Sequence, residues 1–377
     1  MTRTTYLDYN ASAPIRPQAA AAVSRALSIT GNASSVHGFG RRARACLEDA
    51  REAVAALVQA PPAAVIFTSG GTEANTLALH GLVHGRRVLV SAGEHPSVLN
   101  ALPGRVHVPL TGDGVIDLAA LEGALAADPQ PALISVMLAN NETGVIQPIA
   151  AVVELAHRFS ALVHCDAVQA AGKITVDMTD LGVDCLSLSG HKIGGPQGVG
   201  ALIAGETLAL APVLLGGGQE RRRRAGTENL PGIAGFAAAA DAAGADLDDA
   251  PRMAALRDDL ERRACEVAPA IFILGADAPR LPNTSCIALP GWPAETQVMG
   301  LDLAGVAVSA GSACSSGKVA PSHVLRAMGA DDAVAGSAIR VSLGWASAAA
   351  DVDHFIQAWG DLYARSTAAR ALHSPAA

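Results

Sequence analysis

Short apolar runs alternate with longer amphipathic stretches along the first 240 residues or so. The apolar runs predict strands at 64–68, 87–91, 105–109, 132–138, 161–165 and 185–189. The amphipathic stretches predict helices at 17–28, 38–58, 72–84, 96–102, 118–126 and 149–159. Pro17 suits a first helical turn, where its missing N–H would have no partner in any case. Strands that alternate with helices are typical of an α/β fold with a mostly parallel, helix-covered sheet.

The pattern changes near residue 237. An Ala- and Asp-rich stretch (237–251) leads into a predicted helix at 252–268. Short strands are then predicted at 284–289 and 337–343, with helices between and after them. Since 377 residues suit about two domains, we place a boundary at 246–251, before a second, smaller α/β domain.

Composition excludes several classes of protein. Half of the residues are hydrophobic and 16% are charged, so the chain can bury a large core and is not disordered. The net charge of -8 argues against a general nucleic-acid binder. The run Arg221–Arg224 therefore fits a solvated loop, or anion contacts across a subunit interface, better than a nucleic-acid site. Only Lys173, Lys192 and Lys318 are available for lysine chemistry.

The six cysteines are scattered and form no CxxC pair, which fits neither a disulfide framework nor a structural zinc site. The N-terminal segment MTRTTYLDYN has no apolar signal pattern, and no apolar run is long enough to span a bilayer. We therefore expect a reduced, cytoplasmic protein.

Polar segments follow three of the predicted strands, where open parallel sheets bind their ligands. The segment TSGGTE (68–73) opens a helix and either offers backbone N–H groups to an anion or is a plain turn. Asp166 ends a strand and either caps a helix or needs a pyridinium nitrogen, an arginine or a metal as partner. In SLSGHK (187–192), Lys192 is either a surface residue or a desolvated amine suited to Schiff-base chemistry.

Together, these three segments match the requirements of one cofactor, pyridoxal 5′-phosphate. A lysine binds its aldehyde, an aspartate keeps its ring nitrogen protonated so that the ring accepts electrons, and a helix N-terminus binds its phosphate. The order of the segments along the chain therefore predicts a pyridoxal-phosphate site.

Two further residues have unusual surroundings. Cys314 lies among Gly, Ala and Ser (309–318), which cannot bury it, so its thiol is a candidate nucleophile. By contrast, Cys165 and Cys185 lie in predicted strands and suit burial. Arg340 stands between apolar strand residues and needs an anionic partner, such as a substrate carboxylate.

Ordered motifs extend over nearly the whole chain. They are YLDYN (6–10), GN (31–32), FTSGGTE (67–73), EH (94–95), NNETG (140–144), HCDAVQ (164–169), SGHK (189–192), GGGQE (216–220), RAGT (224–227), GSAC (311–314) and SAIR (337–340). With these motifs the chain resembles the cysteine desulfurases of the class V aminotransferase group, which mobilise sulfur for iron–sulfur clusters. The resemblance implies pyridoxal-phosphate fold type I, with a large domain at 12–248. A small domain would comprise 1–11 and 249–377 and carry the Cys314 loop.

The resemblance also implies residue roles. Lys192 matches the Schiff-base lysine, Cys314 the persulfide cysteine, and His95 the imidazole stacked on the cofactor ring. Thr227 matches a threonine that reaches the phosphate of the neighbouring subunit, which implies a homodimer with shared sites. The remaining implied contacts are, for the cofactor, Gly71, Thr72, Asn141, Asp166, Gln169, Ser189 and His191, and, for the substrate carboxylate, Asn32 and Arg340.

The implied reaction converts L-cysteine and an acceptor thiol into L-alanine and a persulfide. The persulfide on Cys314 would pass its sulfur to an acceptor protein such as an iron–sulfur scaffold. We expect no resident metal, although Cys314 could transiently ligate an iron–sulfur cluster, and no membrane or direct nucleic-acid contact. The alternatives are a selenocysteine lyase, another aminotransferase-type enzyme, or a non-catalytic cluster-assembly scaffold. A transaminase would not need Cys314, and a dinucleotide oxidoreductase would need a glycine fingerprint that is missing here.

Three departures from the family pattern stand out. Ala33 replaces a usual proline, and Gly194 replaces a residue that is commonly bulkier. The C-terminal segment ARALHSPAA differs from the extended tail with which several relatives dock a scaffold. We expect these differences to bear on the sulfur acceptor more than on the chemistry.

Overall fold

The computed structural model describes residues 4–311 and 321–373. The strands are β1 (Thr5–Tyr6), β2 (Val65–Thr68), β3 (Arg87–Ser91), β4 (Val106–Val108), β5 (Ala132–Met137), β6 (Leu162–Asp166), β7 (Cys185–Ser189), β8 (Gly200–Ala204), β9 (Phe272–Ile273), β10 (Thr284–Ala288), β11 (Val306–Ala307), β12 (Ser309–Ala310) and β13 (Ala338–Ser342). All eight strands predicted from the sequence are present, within a residue or two at their ends.

Helices surround these strands. They are α1 (Pro17–Ala26), α2 (Gly38–Leu57), α3 (Gly71–Leu82), α4 (Pro96–Leu99), α5 (Leu118–Ala126), α6 (Ile149–Arg158), α7 (Met178–Leu181), α8 (Leu230–Ala245), α9 (Ala250–Val267), α10 (Ala294–Leu303), α11 (His323–Ala327), α12 (Asp332–Ala335) and α13 (Ala349–His373). Pro17 is the first residue of α1, as predicted. Helix α4 ends three residues earlier than predicted, where Asn100 leaves the helical conformation.

The largest sheet has seven strands in the order β2-β8-β7-β6-β5-β3-β4. Strands β7, β6, β5, β3 and β4 pair in parallel, and β8 pairs antiparallel with both β7 and β2. The mostly parallel α/β fold predicted from the alternating pattern is therefore confirmed. Antiparallel β8 was not predicted.

Both faces of this sheet are covered, which explains why its strands are apolar runs without alternation. Successive side chains point to opposite faces. Thus Leu133 belongs to an apolar cluster that includes residues of helices α3 and α4, whereas Ile134 belongs to another that includes residues of α2, α5, α6 and α8. Every residue of β5 is buried as a result.

Helix α8 lies where the sequence indicated only a change of composition. Its alanines and glycines let it pack closely on α1 and α2, and it is buried around much of its circumference. At Gly235, a Cβ atom would come within 2.5 Å of Val23 and 2.9 Å of Pro196. Because α8 lacks a polar face, the amphipathic pattern that reveals other helices is missing here.

The C-terminal part forms a second, smaller core. Strands β12, β13, β10 and β9 make an antiparallel sheet, and β1 pairs in parallel with β11. This sheet packs on α9, α10 and α13, where Trp292, Phe355 and Trp359 are buried together. The domain boundaries at 11/12 and 248/249 stay a prediction. No helix in the described part of the chain is long and apolar enough to cross a membrane.

Candidate active site

A cavity of about 290 Å³ lies beyond the carboxyl ends of β6 and β7, beside the start of α3. Parallel sheets place ligands at this edge. Ten of the residues singled out in the sequence line the cavity: Gly71, Thr72, His95, Asn141, Asp166, Gln169, Ser189, His191, Lys192 and Arg340. The polar residues that sequence reasoning missed in the same lining are Asn10, Asn75 and Ser97.

Three other predicted site residues are not part of this lining. Asn32 is exposed, and its Oδ1 accepts the backbone N–H of Ser34 at 2.8 Å, so its side chain is used in a local turn. Thr227 is also exposed and away from the cavity. Cys314 lies outside the described residues.

Lys192 follows β7 in a short 3₁₀ turn, Gly190–Lys192. Its Nζ donates to the backbone oxygens of Asn10 at 2.6 Å and Ala11 at 2.9 Å. A chain segment distant in sequence therefore fixes the amine at the cavity wall. A surface position for this lysine, the alternative left open by the sequence, is excluded because Lys192 lines the cavity.

The side chain of Arg16, which lies next to position 194 in space, explains why that position is glycine. Gly194 has φ +86°, and a Cβ there would lie 2.6 Å from the Cγ atom of Arg16. Arg16 donates to the oxygen of Ile193 and pairs with Asp246 at 2.6 Å. Arg16 thus occupies the space of the bulkier residue and supports the Lys192 loop from outside.

Asp166 ends β6 with its carboxylate buried at the cavity. Its Oδ1 accepts the Val168 N–H at 3.0 Å, and its Oδ2 accepts Nδ2 of Asn75 at 2.7 Å. These partners are uncharged, and no described arginine or lysine forms an ion pair with Asp166. A buried carboxylate in this position suits a cationic N–H group supplied by a ligand.

His95 is held by a chain of hydrogen bonds that starts at Asp166. Asn75 donates one Nδ2 hydrogen to Asp166 and the other to Ser97 Oγ at 2.9 Å. Nδ1 of His95 accepts the Ser97 N–H at 3.1 Å and lies 2.8 Å from Ser97 Oγ. Burial lowers the pKa of His95, against the opposing effect of Asp166. The imidazole is therefore neutral near pH 7 and carries its proton on Nε2.

The part of the cavity beside the start of helix α3 suits an anion. Helix α3 begins at Gly71, where a Cβ would lie 2.9 Å from a methyl group of Val168, so a larger residue would crowd the cavity wall. Thr72 and Ser189 add hydroxyl groups to the N–H groups of this helix start. Burial, and to a smaller extent Lys192, lower the pKa of His191 to about 4, so it contributes a neutral imidazole.

Arg340 is a buried residue of β13. Its NH2 atom donates to Asp8 Oδ1 at 2.7 Å, and its NH1 atom donates to the Asn141 oxygen at 3.1 Å. The anionic partner predicted for Arg340 is therefore Asp8 in this structure. Nε of Arg340 is buried without a hydrogen-bond partner among the described residues.

These features fit pyridoxal 5′-phosphate. Asp166 offers a carboxylate to a pyridinium nitrogen, Lys192 offers an amine to an aldehyde, and α3 offers N–H groups to a phosphate. Asn75 Oδ1 and Arg340 Nε are buried polar atoms left without partners in the described chain, and both side chains line the cavity. The donor set and the unsatisfied atoms are consistent with a polar ligand of this kind.

The arginine-rich loop around Arg221–Arg224 is anchored to residues beside the start of helix α3. Glu220 accepts two hydrogen bonds from Arg51 at 2.9 Å and one from the Phe67 N–H at 2.9 Å. Arg224 pairs with Glu73, in the first turn of α3, at 2.8 Å. Residues 220–222 have φ values of 43°, 55° and 66°, a left-handed turn that costs roughly 1–3 kcal/mol per residue. The buried ion pair stabilises this turn.

Comparison with known proteins identifies relatives along nearly the whole chain. The model of the family "Aminotransferase class-V" matches residues 5–355. A cysteine desulfurase of Cereibacter sphaeroides is 43% identical over 366 residues, covering 93% of this chain and 94% of the relative. The crystal structure of a NifS-like protein from Rickettsia africae superposes with a TM-score of 0.90 at 33% identity, covering 96% of this chain and 100% of that chain. A structure of SspA in complex with cysteine has a TM-score of 0.78 at 29% identity, covering 90% and 99%.

Proposed function

This chain belongs to the aminotransferase class-V family, and we propose that it removes sulfur from L-cysteine as a pyridoxal-phosphate-dependent cysteine desulfurase. One observation carries the proposal. The cavity is lined by Lys192, Asp166 and Arg340, which bring an amine, a buried carboxylate and a guanidinium to one site. These groups suit, respectively, an aldehyde, a pyridinium nitrogen and the carboxylate of an amino acid.

The cofactor would be held at both ends and along its ring. Asp166 would accept a hydrogen bond from the protonated ring nitrogen, and Gln169 and Asn141 would contact the ring. Gly71, Thr72, Ser189 and His191 would bind the phosphate, and His95 would pack against the ring. When bound, pyridoxal 5′-phosphate supplies an aldehyde that condenses with amines and a ring that withdraws electrons from the substrate α-carbon.

The substrate is held by Arg340 and deprotonated by Lys192. The Arg340 guanidinium is fixed by Asp8, lines the cavity and would bind the cysteine carboxylate. Asn141 lines the same cavity and is better placed than Asn32 to be the second carboxylate contact. The freed Lys192 amine removes the Cα proton of the substrate. The neutral His95 exchanges a proton with the substrate through Nε2.

Sulfur transfer is assigned to Cys314. Its thiolate attacks the substrate sulfur, so that an S–S bond forms as the C–S bond breaks. The electron pair of the broken bond stays with the carbon fragment, which takes up a proton and leaves as L-alanine. The enzyme retains a persulfide, which passes its outer sulfur to an acceptor protein. We propose iron–sulfur cluster assembly in the cytoplasm as the use of this sulfur.

The purified chain, loaded with pyridoxal 5′-phosphate and given L-cysteine and a thiol reductant, is expected to release alanine and sulfide in a 1:1 ratio. The measurement is amino-acid analysis together with a colorimetric sulfide assay, and L-serine serves as the control substrate. Alanine formed from L-selenocysteine but not from L-cysteine would indicate a selenocysteine lyase instead. No alanine from either substrate would contradict the proposal.

A homodimer with shared sites is part of the proposal. Thr227 is exposed and does not line its own cavity, although Glu220 and Arg224 anchor its loop beside that cavity. Large apolar side chains are exposed nearby in sequence, with Leu215 82% accessible. Val213 and Leu214 are exposed next to it, and a contiguous apolar run of this kind suits a surface that a partner covers.

Replacing Thr227 with alanine is expected to weaken cofactor binding about tenfold, because one hydrogen bond to a charged phosphate is lost from each site. The measurement is the cofactor Kd by equilibrium dialysis. Thr179→Ala, at another exposed threonine, is the matched control and should leave the Kd unchanged. Sedimentation that showed an active monomer would contradict the shared-site dimer.

A further inference from the structure

A second lysine lies directly behind the site. Lys173 is half-buried, and its Nζ donates to Gln169 Oε1 at 2.7 Å and to Asn10 Oδ1 at 2.7 Å. No described carboxylate pairs with it, although a partly buried ammonium normally has such a partner. Both of these hydrogen bonds are with side-chain amides of residues at the cavity wall.

The backbone keeps Lys173 in this position. Gly172, just before it, has φ +72°, and a Cβ there would lie 2.8 Å from Ala243 and 3.0 Å from Ile193. Only glycine makes this left-handed turn without strain in such a confined space. The turn therefore brings the Lys173 side chain back beneath Gln169, four residues earlier.

The two hydrogen bonds determine how both amides are oriented. An amine N–H can only be accepted by an amide oxygen, so Oε1 of Gln169 and Oδ1 of Asn10 must face Lys173. Nε2 of Gln169 then donates one hydrogen to the Asn10 backbone oxygen at 2.9 Å. Gln169 can offer its remaining N–H, but no oxygen, to a ligand in the cavity.

Asn10 connects the two lysines. Its backbone oxygen accepts Lys192 Nζ at 2.6 Å, and its side-chain oxygen accepts Lys173 Nζ. Its Nδ2 donates to Thr284 Oγ1 at 2.9 Å, and Asn283 donates to its Oδ1 at 3.1 Å. Lys173 thus binds the side chain of the same residue whose backbone oxygen holds the Lys192 amine.

We propose that Lys173 is a positioning residue, which fixes Gln169 so that it presents an N–H to the ring oxygen of the cofactor and fixes Asn10 so that it holds Lys192. The inference rests on the proposed function, since the ring oxygen belongs to pyridoxal 5′-phosphate. Burial, with Lys192 and Arg340, lowers the pKa of Lys173. A neutral amine still has two N–H groups for its two acceptors, so the role does not require the charge.

Lys173→Met, which is one atom shorter and has no hydrogen-bond donor, tests this role. We expect the cofactor Kd to rise about tenfold and the visible absorption maximum of the bound cofactor to move, because Gln169 can then turn its oxygen to the ring. Borohydride reduction and peptide mass analysis should still find the cofactor on Lys192. Melting of the cofactor-free protein should change by only a few degrees, which separates positioning from a folding defect.

Two further variants show whether Lys173 acts through Gln169. In a Gln169→Ala background, Lys173→Met is expected to cause little additional loss of affinity, since the residue that it orients is gone. Lys173→Arg keeps the donors, and the adjoining cavity of about 70 Å³ that Lys173 lines gives room for the larger head group. This variant should bind the cofactor within about threefold of wild type.

The outcomes separate this inference from the proposed function. If the wild-type chain does not bind pyridoxal 5′-phosphate, the proposed function itself fails. If it does, and Lys173→Met has an unchanged Kd and spectrum, the positioning role is wrong. Fully additive losses in the double variant would likewise overturn it, because Lys173 would then act independently of Gln169.

Discussion

Replacing Cys314 with serine is expected to lower alanine release from L-cysteine by several orders of magnitude while leaving cofactor binding unchanged. The reaction requires a sulfur nucleophile, and removing a covalent nucleophile leaves no equivalent route. Binding of the cofactor and of cysteine uses Lys192 and Arg340 instead, so the absorbance change on adding cysteine should persist. Stopped-flow absorbance and alanine analysis measure these two effects separately.

The cysteines in the described part of the chain offer no substitute thiolate near the cavity. Burial raises the pKa of Cys165 and Cys185 and raises the pKa of Cys286 to about 12, so these thiols stay protonated. Cys46 lies on α2 and the exposed Cys265 on α9, and neither lines the cavity. Cys265→Ser is therefore the matched control and should keep full activity. Alanine release near the wild-type rate from Cys314→Ser would indicate a lyase that expels free sulfur.

Sequence patterns located most of the fold because burial dominates it. Strand β5 and its neighbours are apolar on both faces, which leaves unmistakable runs such as Ala132–Met137. Burial also explains why helix α8 was not predicted. A helix that is buried around much of its surface has no polar stripe to reveal it. Strand β8 escaped because Gly200 opens it at the end of a glycine-rich loop. At Gly200 a Cβ would lie 2.6 Å from Gly70, so close packing, not local preference, selects the residue.

Sequence reasoning predicted the site residues that follow strands. It missed those that reach the cavity from segments distant in sequence. Asp166 and Lys192 follow apolar runs, and the position after a parallel strand already suggests a ligand. Asn75 gave one usable signal, since it lies one helical turn after Gly71 and Thr72 and faces the same side of α3. Asn10 gave none, because its role depends on contacts with residues more than 150 positions away.

Replacing Lys192 with alanine is expected to leave the bound cofactor unattached, with a visible spectrum different from wild type, and to abolish alanine release. Among the described lysines, only Lys192 lines the large cavity, so no other described amine can reach an aldehyde there. The substitution removes both the point of attachment and the base at the α-carbon, and alanine release depends on that base. Absorbance spectra of the dialysed variant with added cofactor measure the first effect.

The matched controls are the other two lysines. Lys318→Ala should keep the spectrum and the activity, and Lys173→Ala should keep the cofactor attached to Lys192 even if it binds less tightly. The Lys192→Ala protein must also be shown to fold, because the Asn10 and Ala11 oxygens lose their donor, at a cost of about 1–3 kcal/mol. A melting temperature within several degrees of wild type would meet that condition. An unchanged spectrum in a folded Lys192→Ala protein would place the attachment elsewhere. The two hydrogen bonds from the Lys192 amine to the Asn10 and Ala11 oxygens would then have no catalytic role to explain them.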